Sequence, residues 1–161
     1  MPFSYRVFCR ELVSPSLSEV LVWLRQSELF VSVCGGGGSN DLLSSFWTEV
    51  ELSVGDDEAP LRLRCVRADA VGAAALAAEI ADFSGDVREL PESASRARVL
   101  TDLAATRALV LIEFSDDGGS PRAHAIAEVI MTLFVERAAG LAQRDGVGFL
   151  DEDDDVLLAL G

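Results

Sequence analysis

Ala108-Leu109-Val110-Leu111-Ile112-Glu113-Phe114, followed by Ser115-Asp116-Asp117-Gly118-Gly119-Ser120-Pro121 and then Arg122 to Gly140, is the stretch that decides the fold. Its first part is a short apolar run with β-branched side chains, of strand length. The second part breaks that run and ends in helix-start chemistry, with Ser120 as N-cap and Pro121 at the first helical position. Ala123, Ile126, Ala127, Ile130, Phe134 and Ala138 then recur at helical spacing, and Met131 and Leu133 widen the stripe. Glu128, Thr132 and Glu136 fall on or beside the opposite face. Gly140 stands where a left-handed C-terminal cap belongs, with Arg137 in the last turn to meet the negative helix end. Leu141 to Asp145 and Val147 to Leu150 continue as strand, with an irregularity at Gly146 and Gly148.

Toward the N-terminus, Phe3, Tyr5, Val7 and Cys9 alternate with Ser4, Arg6 and Arg10, which predicts a strand although Phe8 spoils the polarity. Ser16 and Glu19 form a capping box that opens a helix to about Gln26, with Leu17, Val20, Leu21, Trp23 and Leu24 as its apolar stripe. Leu29 to Cys34 is a second strand, and Gly35 to Asp41 a flexible connection. Phe46, Thr48, Val50, Leu52 and Val54 then share one face of a strand, with Trp47, Glu49, Glu51 and Ser53 on the other. Leu61, Leu63 and Cys65 return against Arg62 and Arg64. A hairpin with Glu51 opposite Arg62 and Glu49 opposite Arg64 pairs the charges across the strands. A slip of one residue would carry carboxylates into the core, so the pairs mark the register.

Asp69 caps the next helix, which carries Ala73, Leu76, Ala77, Ile80 and Phe83 and is interrupted at Gly85 and Pro91. A further helical piece from about Glu92 presents Ala97, Leu100, Leu103 and Ala104. Asp151 to Asp155 is an acidic turn, and Val156 to Leu160 the last strand. The order βαβ-ββ-α(α)-βα-ββ predicts one α+β domain over residues 1–161: a mainly antiparallel sheet with helices packed on one face, a two-layer sandwich. Helices are too few for a doubly wound parallel sheet.

With 161 residues, 50% of them hydrophobic, the chain can bury a core unaided. No apolar run approaches the roughly 18 residues of a membrane helix, and the N-terminus lacks the pattern of a signal peptide. Three cysteines, Cys9, Cys34 and Cys65, exclude a full disulfide framework and fit a reducing, cytoplasmic setting. The net charge is −14, from 27 acidic and 13 basic residues. Such a surface repels nucleic-acid phosphates and attracts basic proteins. Lysine is absent, for which a GC-rich bacterial coding bias is the simplest cause, with selection against lysine as the alternative.

Gly35 to Gly38 follows a strand but lacks the Lys-Ser/Thr pair and the helix of a phosphate cradle. Asp151, Asp153 and Asp155 have the spacing that opens a calcium loop, yet Val156 occupies the glycine position; the same residues suit a solvated turn. His124, the only histidine, has three cysteines as conceivable partners and no motif placing one beside it. No catalytic, cofactor-binding or metal-binding residue is therefore assigned. Trp47 is either an interface anchor on a charged face or a side chain covered by a neighbouring element. If exposed, Trp47 with Glu49, Glu51, Arg62 and Arg64 is the partner-binding candidate.

The expected function is that of a non-enzymatic, highly acidic protein–protein interaction domain with a basic protein partner. In composition and architecture the chain is similar to bacterial immunity proteins and antitoxins, and that resemblance implies masking of a cationic site on the partner. Two alternatives stand beside it: a self-associating structural or adaptor subunit, and a small-ligand-binding domain or enzyme with a pocket between sheet and helices.

Overall fold

The structure is a computed structural model that describes residues 3–35, 42–69 and 71–161. The chain runs β1 (Ser4–Cys9), α1 (Leu17–Gln26), β2 (Ser32–Gly35), β3 (Glu49–Ser53), β4 (Leu61–Arg67), α2 (Ala73–Glu89), α3 (Ala94–Ala104), β5 (Ala108–Glu113), α4 (Pro121–Arg137), β6 (Gly140–Arg144), β7 (Gly148–Leu150) and β8 (Val156–Ala159). The strands form one eight-stranded sheet in the order β2-β3-β4-β5-β1-β6-β7-β8. Every neighbouring pair is antiparallel. No helix among the described residues is long and apolar enough to cross a membrane.

The α+β class, the antiparallel sheet and the helices packed against it are as the sequence predicts. The helices, however, form two layers rather than one. α1 and α4 bury Leu17, Val20, Leu24, Ile126, Ile130 and Phe134 against Tyr5, Val7 and Cys9 of β1 and Val110 and Ile112 of β5. α2 and α3 bury Leu76, Val87, Val99 and Leu103 against Phe8, Leu109, Leu111, Leu141 and Phe149 on the opposite face. The cause is the composition of the central strands. β5 is buried along Ala108 to Ile112, so both of its faces need cover. Phe8, which spoils the alternation of β1, is the aromatic that fills the second core.

Local chemistry explains the element ends. The Ser16–Glu19 capping box is complete, with Glu19 N–H donating to Ser16 Oγ at 3.2 Å and Ser16 N–H to Glu19 Oε2 at 2.8 Å. Ser120 Oγ accepts from Ala123 N–H at 3.1 Å, with Pro121 at the start of α4. Asp69 Oδ1 accepts from Val71 and Gly72 N–H ahead of α2, whose N-cap is Gly72. Gly85 does not interrupt α2, which runs on to Glu89; an exposed glycine costs a helix only about 1 kcal/mol. The strand after α4 is two strands: Gly146 turns the chain with φ 74°, and Val147 N–H donates to Arg144 O, closing a β6–β7 hairpin.

The left-handed residue after α4 is Ala139, with φ 50°, rather than Gly140, which begins β6. Glycine is needed at 140 for a different reason. A Cβ there would lie 2.3 Å from Val7 Cγ1 and 3.2 Å from Phe134 O. Gly140→Ala is therefore expected to cost about 1–3 kcal/mol by overpacking, read as a lower urea midpoint with an unchanged slope. An unchanged midpoint would show that β1, β6 and α4 do not meet as closely as described.

Candidate functional site

β3 and β4 pair in the register predicted from charge, Glu49 opposite Arg64 and Glu51 opposite Arg62. The side chains connect differently. Arg62 reaches both Glu49 (3.5 Å) and Glu51 (3.4 Å), while Arg64 makes a two-point contact with Glu113 on β5, at 2.7 and 3.2 Å. Glu49, Glu51, Arg62 and Arg64 thus gather on one face, with Arg62 shared by the two glutamates and Arg64 engaged by Glu113. Trp47 is not with them. It is 1% exposed, its Nε1–H donates to Pro15 O at 2.8 Å, and its ring packs edge-on against Phe134 of α4. Of its two sequence readings the covered one holds, and Trp47 is no surface anchor. Regular pairing begins only at Glu49, so the alternation does not extend back to Phe46, which is 58% exposed. Arg67, 5% exposed, holds the segment by donating to Trp47 O (2.7 Å) and Ser45 O (2.9 Å).

A different set of residues converges at the start of α4. The β3–β4 loop carries Asp56, Asp57 and Glu58; the β5–α4 loop carries Asp116 and Asp117. Glu58 Oε2 accepts a hydrogen bond from Ser120 Oγ, which ties the two loops together. Asp57, Glu58, Pro60, Phe114, Asp117 and Ser120 are among the residues lining a cavity of about 170 Å³ between them. Asp117 is held below the usual carboxylate range, first by the Ser115 hydroxyl and then by the Gly119 N–H. A helix N-terminus favours nearby negative charge, so α4 stabilises this acidic end as well as displaying it. Arg122, in the first turn of α4, donates to Val54 O (2.7 Å) and Phe30 O (2.8 Å) rather than to these carboxylates. None of the five carboxylates has an ion-pair partner among the described residues.

His124 lies just beneath, stacked on Phe114 with ring centroids 4.3 Å apart. Its Nε2 is 2.8 Å from Gly118 O, which can only accept, so Nε2 carries the proton. Nδ1 lies 2.9 Å from the Tyr5 hydroxyl, within hydrogen-bond distance. Burial pushes the Tyr5 phenol up, with Arg144 pulling in the opposite direction. Both ring nitrogens are occupied, Nε2 on the β5–α4 loop and Nδ1 on Tyr5 of β1. The thiols have other partners: Cys9 faces Val7 O, Cys65 faces Ser14 Oγ, and Cys34 faces Glu51 O.

The Asp151–Asp155 turn is organised by Asp151, whose Oδ1 accepts from Asp153 and Asp155 N–H at 2.9 and 3.0 Å. Asp154 pairs with Arg144 at 3.1 Å. Among the described residues no three His, Cys, Asp or Glu side chains converge in a way that would hold a metal. Gly35 belongs to β2, and the rest of the glycine run lies outside the described residues. Sequence reasoning passed over the acidic loops; the signal was the Asp-Asp pair repeated in both breaks. Compared with family models, curated proteins and solved structures, the chain matches none.

Burial raises the thiol pKa of both Cys9 and Cys65, while Cys34 is exposed. At pH 8 a thiol reagent should therefore titrate one cysteine in the native protein and all three in denaturant. In the fold both buried thiols stay protonated where unfolded ones ionise. Stability is thus full below the unfolded thiol pKa, about 8.5, and falls as pH rises toward the raised folded values, by up to about 1.4 kcal/mol per pH unit and thiol. A urea midpoint that does not fall between pH 8 and pH 10 would contradict the burial.

Proposed function

We propose that the protein is a non-enzymatic binding domain for a basic protein, acting in the cytoplasm in the manner of an immunity protein or antitoxin. The observation that carries this reading is how the charge is partitioned. Arg6, Arg10, Arg62, Arg64, Arg96, Arg98 and Arg144 are engaged with the chain's own carboxylates. Arg67 and Arg122 are turned onto backbone carbonyls. The surplus behind the net charge of −14 is left outside, and Asp56, Asp57, Asp116 and Asp117 concentrate part of it on two tethered loops. Such a field accelerates encounter with a cationic surface and competes with the polyanions that surface would otherwise grip.

The test is capture of partners from the native cells with tagged protein, washed at low and high salt, beside an Asp56→Asn/Asp57→Asn/Asp116→Asn variant. A single strongly basic protein should be retained at low salt, released at high salt and weakened by the variant, since screened contacts lose strength beyond about 8 Å at physiological ionic strength. Recovery only of further copies of the chain would contradict the proposal and favour pairing through β2, a short edge strand with Val33 40% exposed.

A further inference from the structure

The outer face of α4 forms the floor of an open groove of about 640 Å³, a size within the range of ligand sites. Ala125, Glu128, Val129 and Thr132 lie along this floor, spaced to share one side of the helix over two turns. Trp23 and Leu29, on α1 and just after it, supply one wall, and Asp154 from the β7–β8 turn stands on the other side. Trp23, Leu29, Ala125 and Val129 are each only half-buried, so the groove presents apolar surface to solvent. Its rim is acidic. Glu128 and Asp154 share the single Arg144, at 3.7 and 3.1 Å. That arginine is drawn inward over the Tyr5 ring, while both carboxylates remain exposed. One arginine meets the apolar wall, Arg137 over the Trp23 ring at 5.9 Å.

We infer that this groove receives an amphipathic helix of the basic partner, with apolar side chains on Trp23, Leu29 and Val129 and lysine or arginine side chains on Glu128 and Asp154. The inference rests on the reading of the protein as a binder of basic proteins, and it adds the site and the form of the ligand. Two turns of floor, about 10 Å, suit anchors at i, i+3 or i+4, and i+7 of a docked helix. Charge selects the occupant: a second copy of the chain would bring acidic rim against acidic rim, with a net −14 on each side. The groove also adjoins the acidic loops. Phe30, next to Leu29 and 68% exposed, is held by the same Arg122 that binds Val54 at the start of the β3–β4 loop.

The test uses a lysine–leucine peptide patterned as an amphipathic helix of about five turns, and a scrambled peptide of the same composition. Binding is followed by tryptophan fluorescence, in which Trp47 is buried and Trp23 reports the groove. The amphipathic peptide should bind at least about tenfold tighter than the scrambled one and perturb the emission. Val129→Ser, and separately Glu128→Gln with Asp154→Asn, should each reduce that preference by about threefold or more. The Asp56→Asn/Asp57→Asn/Asp116→Asn variant should keep it. Equal binding of the two peptides, or a preference indifferent to both groove variants, would overturn the inference. If a basic partner is captured from cells and is lost only with the loop variant, the groove assignment fails while the proposed function stands. If no basic partner is captured, the reading beneath the inference fails with it.

Discussion

Everything in this fold follows from a central strand that is apolar on both sides. In β5, Val110 and Ile112 point to one face and Leu109 and Leu111 to the other, each at most 5% exposed. Burying a side chain of this kind is worth about 1.5–3 kcal/mol, and leaving either face wet would forfeit two of them. The strand must therefore sit inside the sheet with helices above and below. β1 joins it, with Phe8 on one side and Val7 on the other, and the helical pairs α1/α4 and α2/α3 close the two layers.

That arrangement decides where charge can go. With the centre of both faces occupied, most exposed charge lies on the β3–β4 hairpin, the helix exteriors and the loops. At the β3–β4 hairpin and the adjoining β5, carboxylates and arginines stand within ion-pair distance of one another. At the start of α4 they do not. The loops there carry only carboxylates, and the helix end favours them electrostatically. The groove beside α4 repeats the pattern on a smaller scale, with two carboxylates over one inward-drawn arginine. α4 thus turns a core face inward and a partly apolar face outward, flanked by Glu128 and by Asp154 of the β7–β8 turn.

Much of the fold was legible in the residues. Ser120-Pro121, the Ser16–Glu19 box and the Glu51–Arg62 register are local chemistry, and each stands as read. The second helical layer was legible too, through Phe8, Leu109 and Leu111, had they been read as a second apolar face rather than as noise on the first. Trp47 was not legible, because alternation does not reveal where a strand begins, and the pairing starts at Glu49. The β6–β7 hairpin was hidden by a turn too short to separate two apolar runs. The candidate site was the least legible part. Loops 55–60 and 115–120 are about 60 residues apart in sequence, and only the sheet order brings them to one end.

Amide hydrogen exchange of the protein, alone and with the proposed basic partner added, tests the proposed binding surface most directly. Slowed exchange should be confined to the 55–60 and 115–120 loops, the α4 segment from Arg122 to Thr132, and the end of α1 through Phe30. Protection centred instead on the β2 edge or on α2 and α3, with the loops unchanged, would contradict that surface.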